Sequence, residues 1–259
     1  MEWLKVGNNW VLTPSKAKAV IHFLGGAFLG TNPQVTYKKL LTTLADNGFV
    51  IIATAFLNTF DHRQIALEVY QAYREAENKL FLDYFPAFGM GHSMGCKIHL
   101  LMDSWFDLNR SGNIFMAYNN YSAYRSIPFL ANFRETLPEI QEVEFTPSPQ
   151  ETLSLIAQSY KTPLNLLIDF AEDDIDEIPA LAELLQKKFP DSVKVSKMEG
   201  NHLTPVAVDV DWQAGQVFTP LDAIGQWMKQ GWNETMNREN MELARLLRQW
   251  LNTHITIKV

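Results

Sequence analysis

The chain has 259 residues, of which 47% are hydrophobic, and its formal net charge at pH 7 is −7. This acidic balance, without a run of basic residues, argues against a protein that binds nucleic acid. The length fits one α/β domain with an insertion, or at most two small domains. Cys96 is the single cysteine, which excludes an internal disulfide and fits a reducing compartment.

Neither a targeting segment nor a membrane-spanning segment is expected from the sequence. The first residues, Met1–Lys5, lack a basic region followed by an apolar core. The longest apolar run, Phe49–Leu57, is far shorter than the ~20 residues that a membrane helix needs. We therefore expect a cytoplasmic protein without integral membrane association, whose oligomeric state the sequence leaves open.

Apolar strands and amphipathic helices alternate along the first 120 residues. A hairpin is expected around Asn8–Asn9, and the apolar run Ala19–Leu24 predicts a buried strand. The glycine-rich loop that follows, up to Gly30, either presents backbone amides to a ligand or is a flexible connection. The elements expected next are a helix at Pro33–Asn47, a strand at Phe49–Phe56, a helix from the Asp61 cap to Leu80, and a strand at Ile114–Tyr118. This alternation predicts a mostly parallel, doubly wound sheet.

The pattern changes at Tyr121 and remains irregular until about Lys161. This stretch contains four prolines and several aromatic residues. One helix is well marked within it, with Ser148 as the cap, Pro149 in the first position and Glu151 completing a capping box. Because about 40 residues are too many for a plain connection in a compact domain, we predict a cap insertion at 121–161 in a core formed by 1–120 and 162–259. The alternative is that this insertion has only a structural role and does not cover a site.

The alternation resumes in the last hundred residues. A strand at Leu164–Phe170 leads into an acidic loop, a helix is expected at Ile178–Phe189, and a last strand at Val193–Met198 leads to a histidine at position 202. The tail shows two helical patterns, Pro220–Gln230 and Glu234–Asn252.

The most informative motif is Gly91-His92-Ser93-Met94-Gly95, which has the form Gly-x-Ser-x-Gly. An apolar run precedes it, and the helical run Met94–Phe106 follows it, so the motif has the strand–turn–helix context that it requires. The glycines fit a cramped turn in which a side chain at either position would clash. This context predicts that Ser93 is an exposed nucleophile at the positive end of a helix, the alternative being a plain tight turn.

The same region also resembles a dinucleotide-binding pattern through Gly89, Gly91 and Gly95. That pattern normally opens the first strand–helix unit and has an acidic residue on the next strand for the ribose. Here it lies in the middle of the chain, and the next strand ends in Tyr118-Asn119-Asn120. We therefore favour the nucleophile.

Three chemically matched residue types follow successive predicted strands: Ser93, an acidic loop around Asp173, and His202. Serine needs a base near neutral pKa, and histidine needs a carboxylate that fixes its tautomer. The carboxyl ends of parallel strands meet at one edge, so we expect these side chains to converge. Asp174 and Asp176 are alternative acids. The remaining histidines have weaker claims, and they are His22, His62, His92, His99 and His254.

Metal chemistry has little support in the sequence. Neither His-Glu-x-x-His nor Cys-x-x-Cys is present. We expect no metal and no cofactor. Cys96, on the first turn of the helix after the serine, is expected to be a small packing residue.

From about Ala19 to His202 the chain resembles the α/β-hydrolase superfamily. The matching pieces are His22-Phe23-Leu24-Gly25-Gly26, Gly91-His92-Ser93-Met94-Gly95, Ala171-Glu172-Asp173 and Gly200-Asn201-His202. More narrowly, residues 22–30 and 89–95 are similar to an uncharacterised hydrolase-like family of cyanobacteria and plastids, to which no substrate is assigned. The resemblance implies an α/β-hydrolase fold with a cap insertion, and a stromal location if the chain comes from a plastid lineage.

Carried over by position, the resemblance implies roles for individual residues. Ser93 would be the nucleophile, His202 the base and Asp173 the acid. The oxyanion would be bound by the amide of Met94 and by one amide from Leu24 or Gly25. Many of these enzymes have His-Gly where this chain has His22-Phe23, so the second donor stays open.

These observations lead to two hypotheses of different classes. The first is a serine hydrolase that cleaves a carboxylic ester or thioester of a small molecule through an acyl-enzyme. The aromatic insertion favours an apolar acyl or alcohol group, such as that of a lipid or pigment. The second is a non-catalytic binding or assembly protein on the same scaffold, because a fold does not fix a function.

Overall fold

The computed structural model describes residues 1–126, 144–207 and 234–255. Its strands are β1 (Leu4–Val6), β2 (Asn9–Leu12), β3 (Ala19–Leu24), β4 (Phe49–Thr54), β5 (Ala87–His92), β6 (Gly112–Met116), β7 (Asn165–Phe170) and β8 (Val193–Met198). Its α-helices are α1 (Pro33–Thr36), α2 (Lys38–Asp46), α3 (His62–Lys79), α4 (Met94–Trp105), α5 (Ala123–Ser126), α6 (Pro149–Ser159), α7 (Ile178–Lys188) and α8 (Glu234–His254). A short 3₁₀ helix covers Leu29–Thr31.

The strands form one eight-stranded sheet in the order β1-β2-β4-β3-β5-β6-β7-β8. The pairs β1–β2 and β2–β4 are antiparallel, and every other neighbouring pair is parallel. The chain order reverses between β3 and β5. At such a reversal the loops that follow the two strands leave in opposite directions and open a crevice at the carboxyl edge, where sheets of this kind bind ligands. The prediction of a mostly parallel sheet is therefore confirmed.

Helices cover both faces of the sheet, because the central strands are apolar on both sides. One face packs against α2 and α8, and its buried side chains include Ile21, Ile51, Leu44, Leu247 and Leu251. The other face packs against α3 and α4 on one half, with Val20, Ile52, Val69, Ile98 and Leu101. Its other half packs against α6 and α7, with Phe115, Leu167, Ile156, Leu181 and Leu185. Strand β8 lies at the edge of the sheet, and each of its residues is partly or largely exposed.

Most predicted elements are found close to their expected bounds, and one differs. The helix expected at Pro33–Asn47 is broken at Tyr37, which has φ −120° and ψ 17° and separates α1 from α2. Tyr37 is completely buried, and its hydroxyl group is bonded inside the protein. Tertiary contacts of this one side chain therefore override the local helical pattern. The tail helix expected at Pro220–Gln230 lies outside the described residues.

The predicted cap at 121–161 is only partly within the described residues, since 127–143 lie outside them. Helix α6 has the predicted capping box at Ser148 and Glu151. It packs into the helix layer beside α4, where Ile156 and Tyr160 are buried. The described residues before α6 include Tyr121 and Phe145, which border the cavity at Ser93. That the whole segment forms a cap stays a prediction.

A buried polar cluster lies between the sheet and the helices α3 and α4. It consists of Arg110, Asp103, His22 and His99. The Arg110 guanidinium donates to Asp103 at 3.0 Å and to His22 Nδ1 at 2.9 Å, and both partners of the ion pair are about 1% exposed. His99 donates from Nε2 to the Met90 carbonyl oxygen at 3.2 Å. Burial, followed by the charge of Arg110, holds the pKa of His22 and of His99 well below the usual range. Both imidazoles are therefore neutral in the folded protein.

Gly89 is required by this cluster rather than by a phosphate group. A Cβ at this position would collide with the amide oxygen of Asn113 and would lie 3.0 Å from an Arg110 guanidinium nitrogen. This steric requirement accounts for the first glycine of the pattern that resembles a dinucleotide-binding site.

Among the described helices, none is both long and apolar enough to cross a bilayer.

Because His22 and His99 stay neutral in the folded protein, we predict that the free energy of unfolding decreases as the pH is lowered. In the unfolded chain they take up protons below a pKa of about 6.5, whereas in the folded protein they do not. Their contribution is therefore complete above pH 6.5 and is lost as the pH falls below it. Replacing His99→Gln, which keeps a donor and an acceptor, should reduce the slope of unfolding free energy between pH 6 and 5 by up to about 1.4 kcal/mol per pH unit. Urea unfolding of both proteins at several pH values measures this slope, and equal slopes would contradict the prediction.

Candidate active site

Ser93 occupies a sharp turn between the central strand β5 and helix α4. Its backbone has φ 53° and ψ −121°, and its amide donates to the Met116 carbonyl oxygen at 2.9 Å. A Cβ at Gly91 would lie 2.6 Å from the Cys96 amide nitrogen, and one at Gly95 would collide with the Leu24 carbonyl oxygen. The requirement for both glycines is thus confirmed, and the turn leaves the Ser93 hydroxyl at the carboxyl edge of the sheet.

The structure brings Ser93, His202 and Asp173 together. His202 Nε2 lies 3.0 Å from Ser93 Oγ, and His202 Nδ1 lies 2.7 Å from Asp173 Oδ2. The carboxylate only accepts, so Nδ1 carries a hydrogen and Nε2 of the neutral ring is free to accept the serine proton. The Asp173 side chain is completely buried, whereas the imidazole of His202 is 20% exposed. This arrangement can deprotonate the serine hydroxyl and can stabilise the imidazolium ion that results.

The three carboxylates of the acidic loop have different surroundings. Asp173 faces His202, while Asp174 is exposed. Asp176 accepts a hydrogen bond from the Ile178 amide at the start of α7. Burial, with the nearby negative charges of Asp173 and others, raises the pKa of Asp176 to about 7. The structure therefore brings only Asp173, among the three candidate acids, to the histidine.

The backbone near Ser93 differs in one respect from what the resemblance implied. Met94 begins α4 and borders the cavity, as expected. Leu24 is still part of β3, and the carbonyl oxygens of Leu24 and Gly25 lie against Gly95. The next two residues of this loop, Gly26 and Ala27, border the cavity instead.

The amides of Met94 and Ala27 are therefore the available donors. Within the described ranges, neither amide donates to a protein acceptor. The Gly26 amide, in contrast, donates to the Tyr37 hydroxyl at 2.8 Å. A Cβ at Gly26 would lie 3.3 Å from Ser93 Cβ, so this loop passes directly beside the serine.

A buried chain of hydrogen bonds connects three loops of the site through Tyr37 and His92. His92 Nε2 lies 2.8 Å from the His202 carbonyl oxygen, and Nδ1 lies 2.8 Å from the Tyr37 hydroxyl oxygen. The carbonyl can only accept, so Nε2 donates to it and Nδ1 accepts from the Tyr37 hydroxyl, which in turn accepts from Gly26. Burial, followed by the charge of His202, lowers the pKa of His92 to about 3. The imidazole is therefore neutral, and its hydrogen-bond partners fix which nitrogen carries the hydrogen.

The serine opens into a cavity of about 700 Å³. Much of its wall is apolar, formed by Ala27, Phe28, Leu29, Met94, Phe145, Ile175 and Leu203. Polar side chains also reach it. They are Asn58, His62, Lys97, Asn119, Asn120 and Arg125. Asn119 lies after β6 and donates from Nδ2 towards Ser93 Oγ over 3.4 Å.

Several of these residues were not expected from the sequence. Tyr37 lies in a predicted helix, and His92 seemed to belong to the wrong element because it is the last residue of β5. Ala27 follows the strand by more residues than the resemblance suggested. The one available signal for Asn119 was its position directly after a predicted strand, at the same edge as the serine. Cys96, in contrast, is fully buried, as expected for a packing residue.

The family model described as "Protein of unknown function (DUF1350)" matches residues 2–253. No curated protein matches the chain in sequence. Solved structures do resemble it. A thermostable carboxyl esterase from Bacillus coagulans has a TM-score of 0.59 at 13% identity, with 98% of each chain covered. A monoacylglycerol lipase from Paleococcus ferrophilus has a TM-score of 0.58 at 12% identity, with 98% of this chain and 100% of that chain covered.

A thioesterase domain from the curacin biosynthetic pathway is also similar, with a TM-score of 0.51 at 12% identity over 79% of this chain and 94% of that domain. At these identities the likeness concerns the fold alone. The eight-stranded, mostly parallel sheet and these neighbours show that the chain has the α/β-hydrolase fold, so the predicted fold class is confirmed.

The hydrogen-bond chain through Tyr37 predicts a specific loss of stability. Tyr37→Phe removes the hydroxyl group and leaves the Gly26 amide and His92 Nδ1 buried without partners, which should cost about 1–3 kcal/mol of unfolding free energy. Tyr118→Phe is the matched control, since the Tyr118 hydroxyl is equally buried but has no partner among the described residues. Its removal should cost little. Chemical denaturation compares the two variants, and equal losses would contradict the prediction.

Proposed function

This chain belongs to the DUF1350 family, and we propose that it is a serine hydrolase that cleaves a carboxylic ester or thioester through an acyl-enzyme. The observation that carries the proposal is the position of one imidazole between a hydroxyl and a buried carboxylate. His202 lies 3.0 Å from Ser93 Oγ on one side and 2.7 Å from Asp173 on the other. A serine hydroxyl is a weak nucleophile by itself, and such a base is what activates it.

The proposed reaction has two halves. In the first, Ser93 Oγ attacks the substrate carbonyl carbon while its proton passes to His202 Nε2. The tetrahedral intermediate then collapses, the alcohol or thiol leaves with the proton from His202, and the acyl group remains on the serine. In the second half, His202 removes a proton from water and the resulting hydroxide attacks the acyl-enzyme. The second tetrahedral intermediate then collapses, His202 returns the proton to Ser93 Oγ, and the free acid leaves.

Charge develops on the carbonyl oxygen in both halves, and two backbone amides are placed to stabilise it. We assign these donors to Met94 and Ala27, because both border the cavity and neither has a protein acceptor within the described ranges. In other enzymes each donor of this kind lowers the barrier by roughly 3–4 kcal/mol. The positive end of α4, which begins at Met94, adds to the same field.

The shape of the site supports a small-molecule substrate with an apolar part. The cavity of about 700 Å³ is of the size that holds a small organic molecule, and side chains such as Phe28, Phe145 and Leu203 form its walls. Fold neighbours include an esterase, a lipase and a thioesterase domain, which is compatible with either kind of acyl bond.

A fluorophosphonate probe tests the nucleophile directly. It should label Ser93 covalently, and His202→Ala should slow the labelling because the base is lost. Ser93→Ala should abolish both labelling and hydrolysis of a short-chain nitrophenyl ester, with little change in melting temperature. Mass spectrometry identifies the labelled residue. No labelling of the wild-type protein would favour a binding or assembly protein on this scaffold.

The proposed acid is tested by a pair of neighbouring substitutions. Asp173→Asn should lower kcat by about 10⁴-fold, because an amide can donate to His202 Nδ1 and favours the wrong tautomer. Asp174→Asn removes the same charge from an exposed position next to it, so its kcat should stay near that of the wild type. Steady-state kinetics on one ester measures kcat of both variants. Similar losses of kcat in the two variants would contradict the assignment of Asp173 as the acid.

A further inference from the structure

The cavity wall contributed by α3 and α4 carries polar groups that the proposed reaction does not use. His62, at the start of α3, is 3% exposed, and neither of its ring nitrogens has a hydrogen-bond partner among the described residues. Its ring stacks on Phe145, with the centroids 4.2 Å apart. Burial, followed by the charge of Lys97, lowers the pKa of His62 to about 3. The ring is therefore neutral, with one buried donor and one buried acceptor unpaired, and the residue borders the cavity.

Lys97 presents a second unsatisfied group to the same cavity. The residue is 2% exposed, and its ammonium makes one long hydrogen bond, of 3.5 Å, to the Pro147 carbonyl oxygen. It also lies over the Phe145 ring, 5.4 Å from the centroid. An ammonium has three donors, so this environment leaves capacity for another acceptor. Burial lowers the pKa of Lys97 to about 8, and the group therefore remains charged at neutral pH.

The position of Lys97 relates this wall to the reacting serine. Lys97 lies four residues after Ser93 on α4, which places it one turn further along the helix, about 6 Å along the axis. Both residues border one cavity. A substrate bound at Ser93 can therefore reach the ammonium with an atom a few bonds from its carbonyl carbon.

The surrounding charges favour an uncharged group at this wall. Glu144 and Glu177 both act on Lys97 and raise its pKa against the effect of burial. The formal charges of Lys97 and of Arg125, which also borders the cavity, are matched by those of Glu144 and Glu177, so this wall has no net positive charge to attract an anion. A purely hydrocarbon group, however, would leave the buried nitrogens of His62 without partners, and unpaired buried polar groups are unfavourable. A carbonyl or hydroxyl oxygen is uncharged and can also form hydrogen bonds with these nitrogens, so it fits this wall.

We propose that His62 and Lys97 form a subsite for an uncharged oxygen group on the substrate. The ester or thioester would then carry a carbonyl or hydroxyl oxygen a few bonds from the bond that is cleaved, on an otherwise apolar acyl or alcohol part. This inference rests on the proposed function, since it takes Ser93 as the point where the substrate reacts. It narrows the substrate class from apolar esters in general to oxygen-bearing ones.

Pairs of esters that differ by one oxygen test the preference. For the acyl part, para-nitrophenyl 5-oxohexanoate is compared with para-nitrophenyl 5-methylhexanoate, which has a methyl group in place of the ketone oxygen. For the alcohol part, 4-oxopentyl acetate is compared with 4-methylpentyl acetate. In one of the two pairs, kcat/KM of the wild-type protein should favour the ketone by roughly 10- to 100-fold. No preference in either pair would overturn the subsite.

Substitutions then assign the preference to these two side chains. His62→Phe keeps the aromatic contact with Phe145, and Lys97→Met keeps the length of the chain, but each removes the nitrogen donors. Either variant should bring the ratio of kcat/KM towards one. The matched controls His254→Phe and Lys79→Met change the same residue types outside the cavity and should keep the wild-type ratio. If the ratio of kcat/KM is unchanged in both site variants, the assignment is overturned. Because each variant tests the subsite separately, one of them suffices if the other folds poorly.

A binding measurement separates this inference from the proposed function. In the Ser93→Ala protein, methyl 5-oxohexanoate and 4-oxopentyl acetate should raise the melting temperature more than methyl 5-methylhexanoate and 4-methylpentyl acetate do, for at least one pair. Such a binding preference without any turnover by the wild type would overturn the hydrolase and retain the subsite. Turnover that depends on Ser93 but shows no preference for the ketone would retain the hydrolase and overturn the subsite.

Discussion

Ser93 has a left-handed backbone conformation, and the rest of the site depends on the contacts that hold it there. A serine with φ 53° is strained. The strain is compensated by the hydrogen bond that the Ser93 amide donates to the Met116 carbonyl oxygen, and by the close packing of Gly91 on the first turn of α4 and of Gly95 on the end of β3. Because β5 is the central strand, this turn lies between the loops that follow β3, β6 and β8. The conformation of this one residue therefore fixes where its hydroxyl group lies relative to the start of α4 and to the neighbouring loops.

The loops around this turn are connected to one another as well as to the sheet. The hydrogen bonds from Gly26 through Tyr37 and His92 to the His202 carbonyl oxygen join the loop that contains Ala27 to the loop that contains the His202 side chain. All of these groups are neutral, and a single set of donors and acceptors satisfies them, so the chain has one arrangement. Precise positioning of a base and of oxyanion donors matters for catalysis because small displacements are costly.

The cavity wall that contains His62 and Lys97 differs from this hydrogen-bond chain, because some of its polar groups lack partners. Tyr37 and His92 are fully paired within the hydrogen-bond chain, whereas His62 and Lys97 are buried with unused hydrogen-bonding capacity. Unpaired buried groups reduce stability, so they are expected where a ligand supplies the partner. This contrast within one cavity is the basis for placing the proposed reaction at Ser93 and the proposed substrate subsite at His62 and Lys97.

The sequence by itself determined the order of strands and helices, the turn at Ser93, and the convergence of positions 93, 173 and 202 at one sheet edge, because these depend on local patterns and on the geometry of parallel strands. It left three acids equivalent, since neighbouring carboxylates in a loop differ only in their surroundings. Only the tertiary structure placed Asp173 against His202, broke the helix at Tyr37, and turned Ala27 rather than Leu24 or Gly25 towards the cavity. Those outcomes depend on which distant side chains fill the same space, and no local pattern encodes that.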